Sequence, residues 1–165
     1  MTLWTTFDSP LGELLLTGEE SLTAPGGTAL TSVSVPGQPS APDPGPAAHR
    51  APAAFTEARR QIEAYFAGEL HTFVLEFVTH GSAFRERVWA ALDTVPYGTT
   101  TTYGAVAARI GASRAAVRAI GGAIGANPLL VVRPCHRVIG ADGTLTGYAG
   151  GLDRKRTLLA LEAAG

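Results

Sequence analysis

One cysteine in 165 residues excludes an internal disulfide, and with it the small stapled scaffolds of oxidising compartments. No apolar run approaches the roughly 20 residues that a membrane helix needs, and the opening MTLWTTFDSPLG lacks the basic-then-apolar layout of a secretory signal. The expected setting is a reducing cytoplasm, with no membrane partner. The lone thiol and the scattered His49, His71, His80 and His136 show no metal-ligand spacing. Glycines 121, 122 and 125 fit neither the phosphate-loop nor the dinucleotide fingerprint. No metal and no cofactor are therefore expected. At 45% hydrophobic and 16% charged residues, the chain is too apolar for disorder and of ordinary size for one domain or two small halves.

What is present divides at about residue 80. Residues 1–80 carry nine acids and three arginines, a net of −6; residues 81–165 carry five acids and ten Lys/Arg, a net of +5. A basic half points to a polyanion partner, although a solvated basic surface would have the same composition. We read 1–80 as an N-terminal α/β domain and 81–165 as a C-terminal domain that carries the basic charge.

In the acidic half, LWTTF and ELLLT flank a turn at 8–12 and predict a hairpin; TALTSVSV (28–35) predicts a third strand. Prolines crowd 36–52 and predict a surface loop. Phe55, Ala58, Ile62, Tyr65 and Phe66 predict a helix over about 53–67, stopped by Gly68, and the alternation in HTFVLEFVT predicts a strand over 71–79. In the basic half, Ser82 caps a helix striped by Phe84, Val88, Trp89 and Leu92. Thr102 caps 103–110, Gly111 breaks it, and Ser113 caps 114–125: two short helices about a glycine turn, as in a helix-turn-helix or an ordinary helical hairpin. LLVV (129–132) predicts a buried strand, Asp142-Gly143 a hairpin turn, and the end of the chain a helix capped by Asp153 with Leu158, Leu159 and Leu161 on its apolar side.

Cys135 lies in RPCHRVIG, with Arg133, His136 and Arg137 within two residues. A lone cysteine is usually apolar filler, and a thiol near its free pKa of about 8.5 needs help from a cation, an imidazole or a relay to react. Nothing nearby specifies acyl transfer. A soft thiolate also attacks saturated carbon, leaving a thioether that histidine and water do not cleave, so such a protein would act once.

The combination of PCHRVIG with the upstream NP and RAIGGA, the downstream GTLTGYAGG and RKRTLLALE, and VPYGTTTTYGAVAARIG, FRERVWAAL and QIEAYFAGEL before them resembles the O6-alkylguanine-DNA alkyltransferases. The resemblance is close over about 55–162 and looser over the first strands. It implies an N-terminal RNase H-like α/β domain and a C-terminal helix-turn-helix, winged-helix-like domain. It further implies a monomer that binds duplex DNA containing O6-alkylguanine, flips the damaged base out, and moves the alkyl group irreversibly onto its own cysteine. Carried over by position, Cys135 is the acceptor, and His136 passes its proton through water to Glu162. Tyr103 meets the target phosphate and protonates the departing guanine. Arg118 fills the gap in the base stack, with Arg114 as the fallback and Ala119 and Gly122 beside it at the groove. Asn127, Pro134, Tyr148, Ala149 and Gly150 shape the pocket.

Two departures bear on the site. Arg133 stands where the resembling proteins have Val or Ile, and a buried unpaired guanidinium is costly; it is expected to reach solvent, an acid or DNA, or else to lower the thiol pKa. One residue more than the family pattern separates Gly111 from Arg118, so the turn or the start of the second helix must adjust. Two other functions stay open. A damage-binding relative that does not react would typically lack the cysteine. A sequence-reading regulator would want polar side chains for the major groove, where the second helix offers mainly Ala, Ile and Gly.

Overall fold

The computed structural model describes residues 1–165 as two compact units, Met1–Thr79 and His80–Gly165. In the first unit, β1 (Leu3–Ser9) and β2 (Gly12–Glu20) form the hairpin, and β3 (Thr28–Ser34) extends it antiparallel. A two-residue β4 (His49–Arg50) joins the other edge of β1 in parallel, giving the order β3-β2-β1-β4. Alternation in β1 buries Leu3, Thr5 and Phe7 on one face. The register of β2 against β3 shifts at Thr17/Gly18, and a Cβ at Gly18 would lie 2.6 Å from the Ala29 carbonyl oxygen, so only glycine fits this close approach. A 3-10 turn, Pro52–Phe55, leads into α1 (Thr56–Phe66), which buries Ala58, Gln61, Ile62 and Tyr65.

The strand predicted over 71–79 is not a ladder strand. It touches the sheet through a single parallel bridge, Leu30 to Phe77, with Leu30 N–H donating to Glu76 O (2.8 Å) and Val78 N–H to Leu30 O (2.9 Å). Further back, the backbone of Val74 is satisfied in both directions by the Gln61 amide (2.9 and 3.0 Å). A buried side chain on α1 thus replaces a neighbouring strand.

The second unit is built on α2 (Ala83–Leu92), α3 (Tyr103–Arg109), α4 (Val117–Gly125) and α5 (Leu152–Ala164). Ser82 accepts from Arg85 N–H and Thr102 from Ala105 N–H, the two N-caps expected from the sequence. Ser113 makes no side-chain cap bond. The chain enters through a 3-10 turn at Arg114–Ala116 before α4. Nor does Asp153 cap α5; it pairs with Arg156 at the surface, and Gly151 holds the cap position. Trp89 Nε1 donates to Ala123 O (2.8 Å), pinning α2 to α4.

Residues 129–132 form a buried turn, not a strand. Val132 N–H donates to Leu130 O (2.8 Å), Arg133 N–H to Leu129 O (3.0 Å), and Val131 sits at φ 71°. That left-handed conformation is strained for a β-branched residue and persists only where its surroundings over-determine it. An apolar run alone does not separate buried strand from buried turn. The Asp142-Gly143 turn forms, with Gly140 N–H donating to Thr144 O (2.9 Å), but no hairpin follows. Instead β6 (Val138–Ile139) pairs in parallel with β5 (Thr101–Thr102), the strand that leads into α3. No helix is long and apolar enough to cross a membrane.

Candidate active site

Cys135 begins a 3-10 turn, Cys135–Arg137, placed directly after the strained 129–132 segment. Its N–H donates to Arg133 O (2.8 Å), and its side chain is buried at 3% exposure. Asn127 anchors the approach: its amide accepts from Leu129 N–H (3.0 Å), donates to Leu129 O (3.3 Å) and hydrogen-bonds the thiol. Burial pushes the thiol up to about 11, against Asn127, Lys155 and Arg133, which pull it down. The cations that crowd Cys135 in sequence therefore do not make it a thiolate at rest.

The side chains of Arg137 and His136 lead elsewhere. Arg137 forks onto Glu162 of α5 (Nε to Oε1 2.7 Å, Nη2 to Oε2 2.9 Å) and donates to Val95 O (2.6 Å). His136, wholly buried, places Nε2 2.7 Å from Glu162 Oε2. Desolvation lowers the His136 pKa, outweighing the opposing pull of Glu162. The imidazole is neutral, with Nε2–H directed at the carboxylate. Nδ1 is buried and has no partner within the protein, leaving a lone pair for a proton. A bidentate arginine thus fixes the carboxylate that fixes the base.

α5 presents a second buried charge two turns earlier on the same side. Lys155 Nζ donates to the carbonyls of Val138 (2.6 Å), Thr146 (2.8 Å) and Gly147 (3.3 Å), tying β6 to the loop before Tyr148. Burial lowers its pKa, and the Cys135 site raises it.

Above the thiol lies a cavity of about 180 Å³ lined by Tyr103, Gly121, Ile124, Gly125, Cys135, Gly147, Tyr148 and Ala149. It is smaller than the roughly 300 Å³ at which drug-sized sites begin, which restricts it to a small occupant. Tyr103, from the start of α3, reaches its rim and shares a hydrogen bond with Thr146 Oγ1 (2.8 Å). The Tyr148 ring packs edge-on to His136, with centroids 6.5 Å apart. Outside, Arg118, Ala119 and Gly122 are exposed on α4 at i, i+1 and i+4, a spacing that puts them on one helix face. Arg114 lines a separate groove of about 750 Å³ that also includes Tyr103, Gly104 and Val117.

The structure thus gathers Cys135, Tyr103, Tyr148 and Ala149 about one cavity and sets His136 with Glu162 behind it. Asn127 acts at the thiol and does not line the cavity. Pro134 is buried beside Cys135, and the carbonyl of Gly150 accepts from Arg154 (3.0 Å). Neither Lys155 nor the Arg137–Glu162 fork was named from the sequence. The available signal was the spacing of Lys155, Leu158 and Glu162, which lie at i, i+3 and i+7 and are the buried positions of α5.

Two family descriptions match the chain: the 6-O-methylguanine DNA methyltransferase ribonuclease-like domain over residues 2–78, and the DNA binding domain of the same family over 83–164. A methylated-DNA–protein-cysteine methyltransferase of Mycolicibacterium paratuberculosis is 50% identical over 162 residues, spanning 98% of this chain and 93% of the relative. One of Haemophilus influenzae is 39% identical over 160 residues, 96% of this chain and 85% of the relative. Among solved structures, the Mycobacterium tuberculosis OGT in complex with DNA superposes with a TM-score of 0.90 at 46% identity, covering 98% of this chain and 93% of the other.

Proposed function

The chain belongs to the 6-O-methylguanine DNA methyltransferase family, and from that premise we propose that it repairs O6-alkylguanine in duplex DNA by taking the alkyl group onto Cys135. The observation that carries this reading is the placement of the chain's one thiol at a small cavity that Tyr103 and the inner residues of α4 also line, backed by the His136–Glu162 pair.

With the thiol held near 11, only on the order of 10⁻⁴ of chains would carry a thiolate at neutral pH without a base. His136 Nδ1 is that base: it takes the thiol proton, directly or through one water, and Glu162 stabilises the imidazolium. The sulfur lone pair forms the new S–C bond at the alkyl carbon as the C–O6 bond breaks. The electrons pass to the guanine, which receives a proton from the Tyr103 hydroxyl at the cavity rim. No step regenerates the thiol, so each chain reacts once. Because the acceptor is buried, the base must leave the stack to reach it, and Arg118 on the exposed face of α4 fills the space left behind. A thiol that must stay reduced suits the cytoplasm.

Intact-protein mass after incubation with a duplex containing O6-methylguanine tests this directly. One added methylene per chain, mapped to Cys135, is the expected result; an unchanged mass with duplex binding intact would make the protein a damage-binding module. Arg118→Ala is expected to weaken binding to the alkylated duplex about 5- to 150-fold, the range for loss of one stacked contact, in a fluorescence-anisotropy titration. If Arg114→Ala produces that loss and Arg118→Ala does not, the intercalating role moves to the 3-10 turn.

A further inference from the structure

Arg133 sits in a position that the mechanism above does not use. Its guanidinium is only 5% exposed, yet its neighbours are few: Asp93 at the end of α2 (Nε to Oδ1 3.3 Å) and the face of Trp89 (5.3 Å to the ring centroid). Nη1 is buried and has no hydrogen-bond partner. An under-satisfied buried cation is expensive, and here it stands two residues before the acceptor, with its own carbonyl bonded to Cys135 N–H. The same residue closes the strained turn from the other side, through its N–H to Leu129 O. Stacking on Trp89 and pairing with Asp93 therefore dock the Cys135 segment on α2 and bury a positive charge on the residue two positions before the acceptor.

We propose that Arg133 is a positioning residue for the alkyl transfer, one that stabilises the developing thiolate of Cys135, and that Asp93 attenuates it by partly neutralising the guanidinium. The proposal rests on the reading of Cys135 as the acceptor. Burial raises the thiol pKa, and Arg133 acts against it beside the stronger pulls of Asn127 and Lys155; Asp93 is itself raised by partial burial against the pull of Arg133. The remaining groups around the sulfur are accounted for: Lys155 approaches from α5 and also favours the thiolate, Asn127 donates to the sulfur, and His136 is neutral. Arg137 is neutralised by its fork onto Glu162. Arg133 is the cation near the sulfur whose charge is balanced by a single, half-exposed carboxylate.

Docking and charge make different predictions. If Arg133 only docks the segment, Arg133→Met and Asp93→Asn both loosen it and both shift the thiol in the same sense. If charge matters, the two changes act oppositely. Arg133→Met moves the thiol titration to higher pH; Asp93→Asn uncovers the guanidinium and moves it to lower pH. The readout is thiolate absorbance against pH in the free protein, taken as a difference from the matching variant that also carries Cys135→Ser, which subtracts the four tyrosines. Single-turnover transfer from an O6-methylguanine duplex at neutral pH should follow, changing about 3-fold per pH unit of thiol shift because a weaker base is also a weaker nucleophile. Arg133→Lys, which keeps the charge but not the planar fork, should leave the thiol titrating close to the unaltered protein, whereas a docking role predicts a shift of the same sign as that of Asp93→Asn, and this pair carries the test if Arg133→Met does not fold. Shifts of one sign in Arg133→Met and Asp93→Asn, or none in either, overturn the proposal. Absence of transfer in the unaltered protein would instead overturn the acceptor reading, and the DNA-free titration would still decide the role of Arg133.

Discussion

Cys135→Ala is expected to abolish alkyl transfer outright while leaving affinity for the alkylated duplex nearly unchanged. The loss is total because the chain holds no second thiol and because the substitution removes the atom to which the new bond is made. Affinity survives because the residues assigned to DNA, Arg118 and its neighbours on α4, are exposed, whereas the substituted atom is buried. The fold should survive as well. Asn127 keeps both bonds to Leu129, and alanine fills most of the space of the thiol. Stability gives an independent check with a defined sign. The folded thiol is raised to about 11 from an ordinary value near 9, so between those values the unfolded chain has lost the proton and the folded chain has kept it. Proton binding then favours the folded state less as pH rises, and stability falls through that window by up to about 2 to 3 kcal/mol. The fall should be absent from the difference between the alanine variant and the parent below pH 8 and should grow above pH 9 in thermal melts. Retained transfer in Cys135→Ala would end the acceptor reading; lost binding would make the thiol structural.

The parts of the fold that were legible in the sequence are those set by short-range chemistry. Ser82 and Thr102 cap the helices that their positions announce, and the breakers at 8–12 turn the first hairpin. The errors share a cause. In 71–79 and in 129–132 an apolar or alternating run predicts strand, but what decides the matter is the partner of each backbone group, and that partner is tertiary. Gln61 supplies it to Val74, and Asn127 together with local bonds supplies it to the turn that contains Val131. Ser113 lost its cap because the helix begins as a 3-10 turn, a detail too fine for spacing alone.

The site was legible in a different way. Chemistry argued from the residues reaches a thiol with cations and an imidazole nearby and a single attack on saturated carbon; the partnership of His136 with Glu162, 26 positions apart, comes from the resemblance. What stayed hidden was where the charges go. A periodic reading of α5 looks for an apolar side and finds leucines, whereas the helix turns Lys155 and Glu162 inward with Leu158 between them. Local rules fail at α5 because it carries the site's charges, a failure expected of functional elements.

Glu162→Gln should show how much that inward carboxylate contributes. It keeps the volume but removes the charge that accepts two bonds from Arg137 and faces His136 Nε2. Two effects are expected, and they are separable. The stranded guanidinium should cost about 3–5 kcal/mol of stability, a melting shift on the order of 10 °C for a chain of this size. Transfer should slow by about 10²- to 10⁴-fold, since the imidazole loses the group that orients it and stabilises its charged form. Adding Arg137→Met removes the stranded charge. The double variant should recover much of the stability, although the Val95 carbonyl, which accepts from Arg137 at 2.6 Å, loses its donor and holds back about 1–3 kcal/mol. It should recover none of the rate, because His136 still faces a neutral amide. Thermal melts alongside single-turnover transfer distinguish the cases. If rate returns with stability in the double variant, Glu162 serves only to hold Arg137, and the proton relay through His136 is wrong.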